Sequence, residues 1–150
     1  MMKKAFTLLE LVVVITLLGI MVGLSALYYQ TSQVRADVNT QAAVLVSYLR
    51  LAQSNAMAGN DNESYGVHLE TNLYVLFEGS SYVPDADSNI ELELPPTIVI
   101  QNIVLNGGGS DVVFTPPQGE TSTYGSLEIF SSQINKTIPI TITSIGTIRY

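Results

Sequence analysis

The sequence has no cysteine, a single histidine and few charged side chains. Its 150 residues include six Lys or Arg and 13 Asp or Glu, so only 13% are charged. Without cysteine the chain forms no disulfide, thiolate nucleophile or cysteine-ligated zinc site, and one histidine alone cannot build a usual zinc site. The formal net charge of −7 disfavours nucleic acid as a partner, because acidic surfaces repel phosphates.

Catalytic motifs are missing as well. No G-x-S-x-G nucleophile elbow occurs, and the glycine run at 107–109 lacks the lysine and the following helix of a phosphate-binding loop. His68 stands in a strand-like run, on the face opposite its apolar residues, so we expect it to be exposed. The sequence predicts that the protein is not an enzyme and needs no cofactor.

Charge is absent from one long stretch, since residues 11–34 carry no charged side chain. A membrane-spanning helix needs ~20 mostly apolar residues, and residues 6–29 are long enough. Lys3 and Lys4 precede this run, so its start should face the cytoplasm. Glu10 is the anomaly, because a carboxylate near the membrane-inserted start of a helix is costly unless a partner neutralises it.

Beyond the apolar run, residues 30–58 have the pattern of an amphipathic helix. Gly59, followed by Asn and Asp residues, predicts its end. Either a coiled-coil partner or the β-rich sequence that follows could cover the apolar stripe; we favour the second, because a sheet with one apolar face needs the same cover. The stripe repeats every three or four residues and consists of Val34, Val38, Ala42, Leu45, Leu49, Ala52 and Ala56.

Residues 60–150 predict a β-rich antiparallel head with seven or eight strands and no second helix. Short alternating runs are separated by Gly, Pro, Asn and Asp, and Pro139 predicts an edge position or a bulge. The fold class is therefore α+β. The predicted strands are 65–69, 73–78, 90–94, 97–103, 112–114, 127–130, 138–142 and 147–150.

The segment from Lys4 to Leu11, KAFTLLEL, resembles the class III signal of type IV pilins and type II secretion pseudopilins. The resemblance implies a leader of residues 1–5, removed by prepilin peptidase between Ala5 and Phe6, followed by N-methylation of Phe6. It also implies that Glu10 pairs with the Phe6 amine of a neighbouring subunit during assembly. The family usually has glycine where this chain has Ala5, which predicts slower cleavage.

The same resemblance implies a pilin-like lollipop, with one long N-terminal helix that is half transmembrane and is packed on the head. It implies a single-pass protein of the inner (cytoplasmic) membrane with its head outside the cytoplasm, later assembled into a pilus or pseudopilus filament. The implied partners are membrane lipid before assembly, prepilin peptidase, the inner-membrane assembly platform and other pilin or pseudopilin subunits.

The head is similar to H-type pseudopilins and FimT-like minor pilins, which predicts a minor filament subunit. A major shaft subunit and a pilus-displayed adhesin are the alternatives, and Tyr82 and Tyr124 are the exposed aromatics that an adhesin could use. Only Lys136 and Arg149 are basic near the C-terminus, so DNA binding of the FimT-like kind is not expected. The residues that carry this resemblance are 49–56, 65–67, 113–114, 119, 125–129, 140–142 and 146–148.

One loop has the spacing of a calcium site. Asp85, Asp87 and Asn89 offer oxygen ligands at alternate positions. Ile90 and Pro96 stand where an EF-hand needs glycine and glutamate, which excludes that motif. Calcium binding and a plain solvated acidic loop are the two interpretations of this segment, and the sequence also leaves open whether the filament serves secretion, twitching, adhesion or competence.

Overall fold

The computed structural model describes residues 7–59 and 62–150, with only the backbone described at residues 25–30. The predicted leader, residues 1–5, and the predicted cleavage site between Ala5 and Phe6 lie outside the described residues. The structure therefore begins just after the amino acid whose methylation the sequence predicts.

A single long helix, α1, runs from Leu8 to Ala58 and has 51 residues. Thr7 is its N-cap, because the Thr7 hydroxyl accepts a hydrogen bond of 3.3 Å from the backbone N–H of Glu10. Gly59 ends the helix in the left-handed conformation, with φ of 69°, which glycine adopts without a Cβ penalty. At 1.5 Å per residue, α1 is about 75 Å long.

The head contains two four-stranded antiparallel sheets. The first sheet has the order β3-β2-β1-β5 and the second has the order β4-β6-β7-β8. A long N-terminal helix packed on an antiparallel β head confirms the predicted α+β fold. The strands are β1 (Tyr65–Leu69), β2 (Leu73–Glu78), β3 (Ile90–Glu93), β4 (Val99–Leu105), β5 (Asp111–Phe114), β6 (Gly125–Ser131), β7 (Lys136–Ile142) and β8 (Ile148–Arg149).

Helix α1 lies across both sheets and buries its predicted stripe there. It contacts β1, β2 and β5 of the first sheet and β6, β7 and β8 of the second. Val34 is half-buried and the six other stripe residues are fully buried in one core with strand residues such as Val67, Phe114, Leu127 and Ile140. The head itself therefore covers the stripe, which is the interpretation that the sequence analysis favoured over a coiled-coil partner.

Strand boundaries differ from the sequence prediction where turns intervene. β4 begins at Val99 rather than at residue 97, because the Ile98 N–H donates to the Pro95 carbonyl and closes a turn there. Pro139 lies in β7 opposite Glu128 of β6, and β8 pairs only with Thr141 and Ile142. The other side of β7 is therefore unpaired at Pro139, where its missing N–H costs no ladder hydrogen bond.

The environment of His68 differs from the prediction. Its side chain is only 20% exposed, its Nδ1 hydrogen-bonds the Asp111 carboxylate, and its ring stacks on Tyr82 with 4.1 Å between centroids. Its Nε2 lies 3.4 Å from a carboxylate oxygen of Glu70. The expectation that His68 is exposed is wrong, because the loop between β2 and β3 folds back over this face of the first sheet.

Candidate assembly surface

The first part of α1 exposes apolar side chains on every side. The exposed fractions range from 46% for Val14 to 81% for Leu8, and the other positions between Leu8 and Leu24 are Glu10, Thr16 and two glycines. The exposed large apolar residues are Leu8, Leu9, Leu11, Val12, Val13, Val14, Ile15, Leu17, Leu18, Ile20, Met21, Val22 and Leu24.

A helix that is apolar all round is normally covered by protein or by lipid. Soluble monomers rarely expose so large a continuous apolar surface. Among the described residues, no helical segment is both long and apolar enough to cross a membrane. The membrane-spanning prediction for residues 6–29 is not confirmed and stays a prediction.

Two polar side chains interrupt this surface, and they differ in whether a hydrogen bond within the protein satisfies the polar group. The Thr16 hydroxyl donates a 2.7 Å hydrogen bond to the Val12 carbonyl, so α1 itself satisfies it. The Glu10 carboxylate makes no hydrogen bond or ion pair with any residue that the structure describes. It is placed in the first turn, where the helix dipole favours a negative charge. Of all positions on this surface, Glu10 is therefore the one at which a cationic partner would form the most favourable interaction.

Residues 1–26 match the family model of the prokaryotic N-terminal methylation motif. The match indicates a type IV pilin-like substrate of prepilin peptidase and supports the resemblance to the pilin and pseudopilin superfamily. It also suggests a membrane-anchored protein that later assembles with other pilin subunits. Comparisons with curated proteins and with solved structures found no match.

The methylation motif includes the predicted site residues Ala5, Phe6 and Glu10, together with the exposed apolar part of α1. Of the three, only Glu10 is among the described residues, so the structure does not show how Phe6 lies relative to Glu10. The motif ends at residue 26, well before the head. It does not separate H-type from FimT-like proteins, or minor from major subunits.

The candidate calcium loop leaves the side-chain oxygens of all three predicted ligands without a hydrogen bond to any described residue. Asp85 and Asp87 are exposed, whereas the Asn89 side-chain N–H donates a 2.9 Å hydrogen bond to the Val83 carbonyl. Within residues 7–59 and 62–150, no group of three or more His, Cys, Asp or Glu side chains could hold a metal ion. That finding does not cover an amide oxygen such as that of Asn89, so calcium binding there stays a prediction.

The two aromatic residues considered for an adhesin differ in exposure. Tyr124 is 42% exposed. Tyr82 is only partly exposed, because its ring stacks on His68 and lies 5.8 Å from the Phe77 ring. Burial, and then the nearby Glu91 carboxylate, raise the pKa of Tyr82. The expectation of a freely exposed Tyr82 is wrong, since this ring fastens a loop to the first sheet.

A polar cleft in the head was not predicted. It has a volume of about 330 Å³ and lies between the β5–β6 connection and the β7–β8 turn. Gly119 and Gly146, whose φ angles are 66° and 79°, signalled turns in the sequence. Only the arrangement of the strands in the sheets brings these two turns together, so the sequence did not reveal that they lie side by side. The cleft is lined by Thr115, Glu120, Thr121, Ser122, Ser144 and Ile145.

Proposed function

We propose that this protein is a minor pilin or pseudopilin, a structural subunit of a type IV pilus or a type II secretion pseudopilus. It is made as a prepilin in the inner membrane with its head outside the cytoplasm, is cut after Ala5, and assembles into a filament through α1. One observation carries the proposal: from Leu8 onward, the methylation motif lies on a helix whose first part is apolar on all sides and uncovered.

The apolar side chains in the two parts of α1 are shielded from water by different partners. From Val34 to Ala56 the head provides the cover. Between Leu8 and Leu24 the side chains are exposed, so a second source must cover them: lipid before assembly and the helices of other subunits afterwards. Lipid tails are about as apolar as leucine, so the move from membrane to filament exchanges one apolar cover for another. Assembly then depends on close packing and polar pairing between helices.

Glu10 supplies the polar pair in this proposal. The methylated amine of Phe6 on a neighbouring subunit is the cation that neutralises its carboxylate. Each charge alone is costly in an apolar surrounding, whereas the pair is much less so. Because the rest of the surface is apolar on all sides, this pair also fixes how far one helix is displaced along the next.

The head performs recognition or capping in this proposal, without enzymatic activity and without a cofactor. The absence of a nucleophile elbow and of a phosphate-binding loop in the sequence supports this view. The loose similarity of the head to H-type pseudopilins and FimT-like minor pilins supports a minor rather than a major role.

Quantitative mass spectrometry of sheared surface filaments, compared with the membrane fraction, tests the proposal. We expect a peptide that begins at methylated Phe6 and is present in filaments at a few per cent or less of the main subunit. A peptide that dominates the filament would instead identify the major shaft subunit. If the chain were found only in membranes and still carried residues 1–5, the filament proposal would fail.

A further inference from the structure

The polar cleft of the head presents oxygen acceptors and no basic group. Its residues are Thr115, Glu120, Thr121, Ser122, Ser144 and Ile145. The Thr115 hydroxyl is already used, because it donates to the Glu120 carbonyl, and Thr121 shares a hydrogen bond with Thr123. In the described part of the chain, the Glu120 carboxylate and the Ser122 and Ser144 hydroxyls have no such partner.

Hydrogen bonds within and between the segments hold the walls of this cleft in place. The Thr121 N–H donates to the Ser144 carbonyl at 2.9 Å, and the Thr115 N–H donates to the Glu120 carbonyl at the same distance. The Gln53 side-chain N–H, which comes from α1, donates to the Gly119 carbonyl at 3.0 Å. A cleft whose walls are tied in this way loses little conformational freedom when a ligand enters.

Apolar side chains lie at the cleft and beside Gly119. Ile145 is 67% exposed and lines the cleft, and Met57, near the end of α1, is 53% exposed. Met57 lies beside Gly119, where a Cβ would come within 2.7 Å of the Met57 Cγ. A cleft lined by both a glutamate and an exposed apolar side chain suits a ligand with an apolar stem and a cationic end. Lysine and arginine side chains have that form.

None of the basic residues that the structure describes lines the cleft. Arg35, Arg50 and Arg149 are exposed, and Lys136 donates a hydrogen bond to the Asn39 side chain. Within the described residues, the only close contacts between basic and acidic side chains are those of His68. Without the two leader lysines, four basic side chains remain against 13 acidic ones. The cation is therefore assigned to another molecule, since no described basic residue lies at the cleft.

We propose that this cleft binds a lysine or arginine side chain of an adjoining subunit in the filament. The cationic end approaches the Glu120 carboxylate and the Ser122 and Ser144 hydroxyls, and the aliphatic stem lies on Ile145. This inference rests on the proposed function for the identity of the occupant. The affinity of the cleft for such a cation does not depend on that function.

A titration of the full chain in detergent micelles tests the affinity. The probes are N-acetyl-arginine amide and Nα-acetyl-lysine amide, with N-acetyl-norleucine amide as the neutral control, and the readout is the backbone amide NMR signals of residues 119–122 and 144–146. We expect saturable shifts with the two cations only. Glu120→Gln should weaken binding by about two- to fivefold, as for an exposed ion pair, whereas Glu63→Gln, an exposed carboxylate outside the cleft, should not.

Absence of saturable shifts, or equal shifts with the neutral probe, would overturn the cation site. A second comparison then tests the occupant: Glu120→Lys should enter filaments several-fold less than Glu63→Lys, with cleavage before Phe6 unchanged in both. Equal incorporation would refute a neighbouring subunit as the source. If the unmodified chain never enters filaments, the proposed function fails, while the titration still decides whether the cleft binds a cation.

Discussion

At the scale of single residues, Glu10 differs from every other side chain on the exposed apolar part of α1. Its carboxyl group has no partner among the described residues, whereas the Thr16 hydroxyl on the same surface bonds to the helix backbone. The two positions therefore form a matched pair for substitution, because changing either to alanine removes a polar group from the same surface.

We expect Glu10→Ala to insert in the membrane and to be cleaved normally but to enter filaments at least about tenfold less than the unmodified chain. The cause is that the neighbouring amine would be left uncompensated in an apolar surrounding. Thr16→Ala should assemble normally. Immunoblots of sheared filaments and of membranes give both quantities. Wild-type incorporation of Glu10→Ala would refute the pairing of Glu10 with a neighbouring amine.

Tyr74 makes the stability of the folded head depend on pH. Its side chain is only 1% exposed and its ring meets that of Tyr48 edge-on at 5.9 Å. Burial, and then the proximity of Tyr48, raise the pKa of Tyr74 from 10.0 to about 12. The folded state therefore keeps the proton at a pH where the unfolded state has lost it. This contribution to stability is complete below pH 10 and is lost as the pH rises toward 12.

We expect the free energy of unfolding of the head to fall by about 1 kcal/mol between about pH 9 and about pH 11 on account of Tyr74 alone. Tyr74→Phe should remove that part of the pH dependence, whereas Tyr124→Phe, at an exposed position, should keep it. Denaturant titrations of the three proteins at both pH values measure the effect. An unchanged pH slope in Tyr74→Phe would contradict this account.

At the scale of elements, the two faces of α1 can be compared within one turn. Leu49 is fully buried against the sheets, whereas Leu51 is 43% exposed. Truncating a buried leucine removes its transfer free energy and leaves a cavity. Truncating an exposed one does little, because its side chain is already in contact with solvent.

Leu49→Ala should therefore lower the free energy of unfolding by about 2–5 kcal/mol, and Leu51→Ala should change it by about 0.5 kcal/mol or less. Both substitutions keep a good helix former on the same helix, so the difference reports packing alone. Thermal and denaturant unfolding of the purified full chain give the two values. Equal effects would mean that the stripe is not held by the head.

The elements themselves were largely predictable. The stripe that ends at Ala56 and the glycine at 59 define the helix through periodicity and capping, which are local properties. The runs 65–69 and 73–78 coincide with β1 and β2 because Glu70 to Asn72 makes a short turn. β4 was misplaced by two residues, because the Pro95 turn extends to Ile98 through a hydrogen bond that hydropathy does not encode.

At the scale of the whole molecule, prediction from sequence stopped where distant segments meet. β1 pairs with β5, which follows it by more than 40 residues, and this pairing brings Asp111 to His68. The polar cleft lies between two segments, the β5–β6 connection and the β7–β8 turn, and Gln53 of α1 bonds to the first of them. No local sequence pattern indicates that such distant segments lie together. The environment of His68 and the cleft were therefore both missed by the sequence analysis.

The unequal anchoring of α1 has a mechanical consequence. From Val34 onward its side chains interlock with two sheets, whereas the part from Leu8 to Leu24 is restrained by its own backbone hydrogen bonds and by whatever surrounds it. That part contains Gly19 and Gly23, each about 1 kcal/mol less favourable in a helix than alanine, and beyond the adjoining residues and the local helix backbone no described atom lies within 4 Å of a Cβ placed there. Under an axial pull, the N-terminal part would lengthen first and act as an elastic tether, while the head kept its shape.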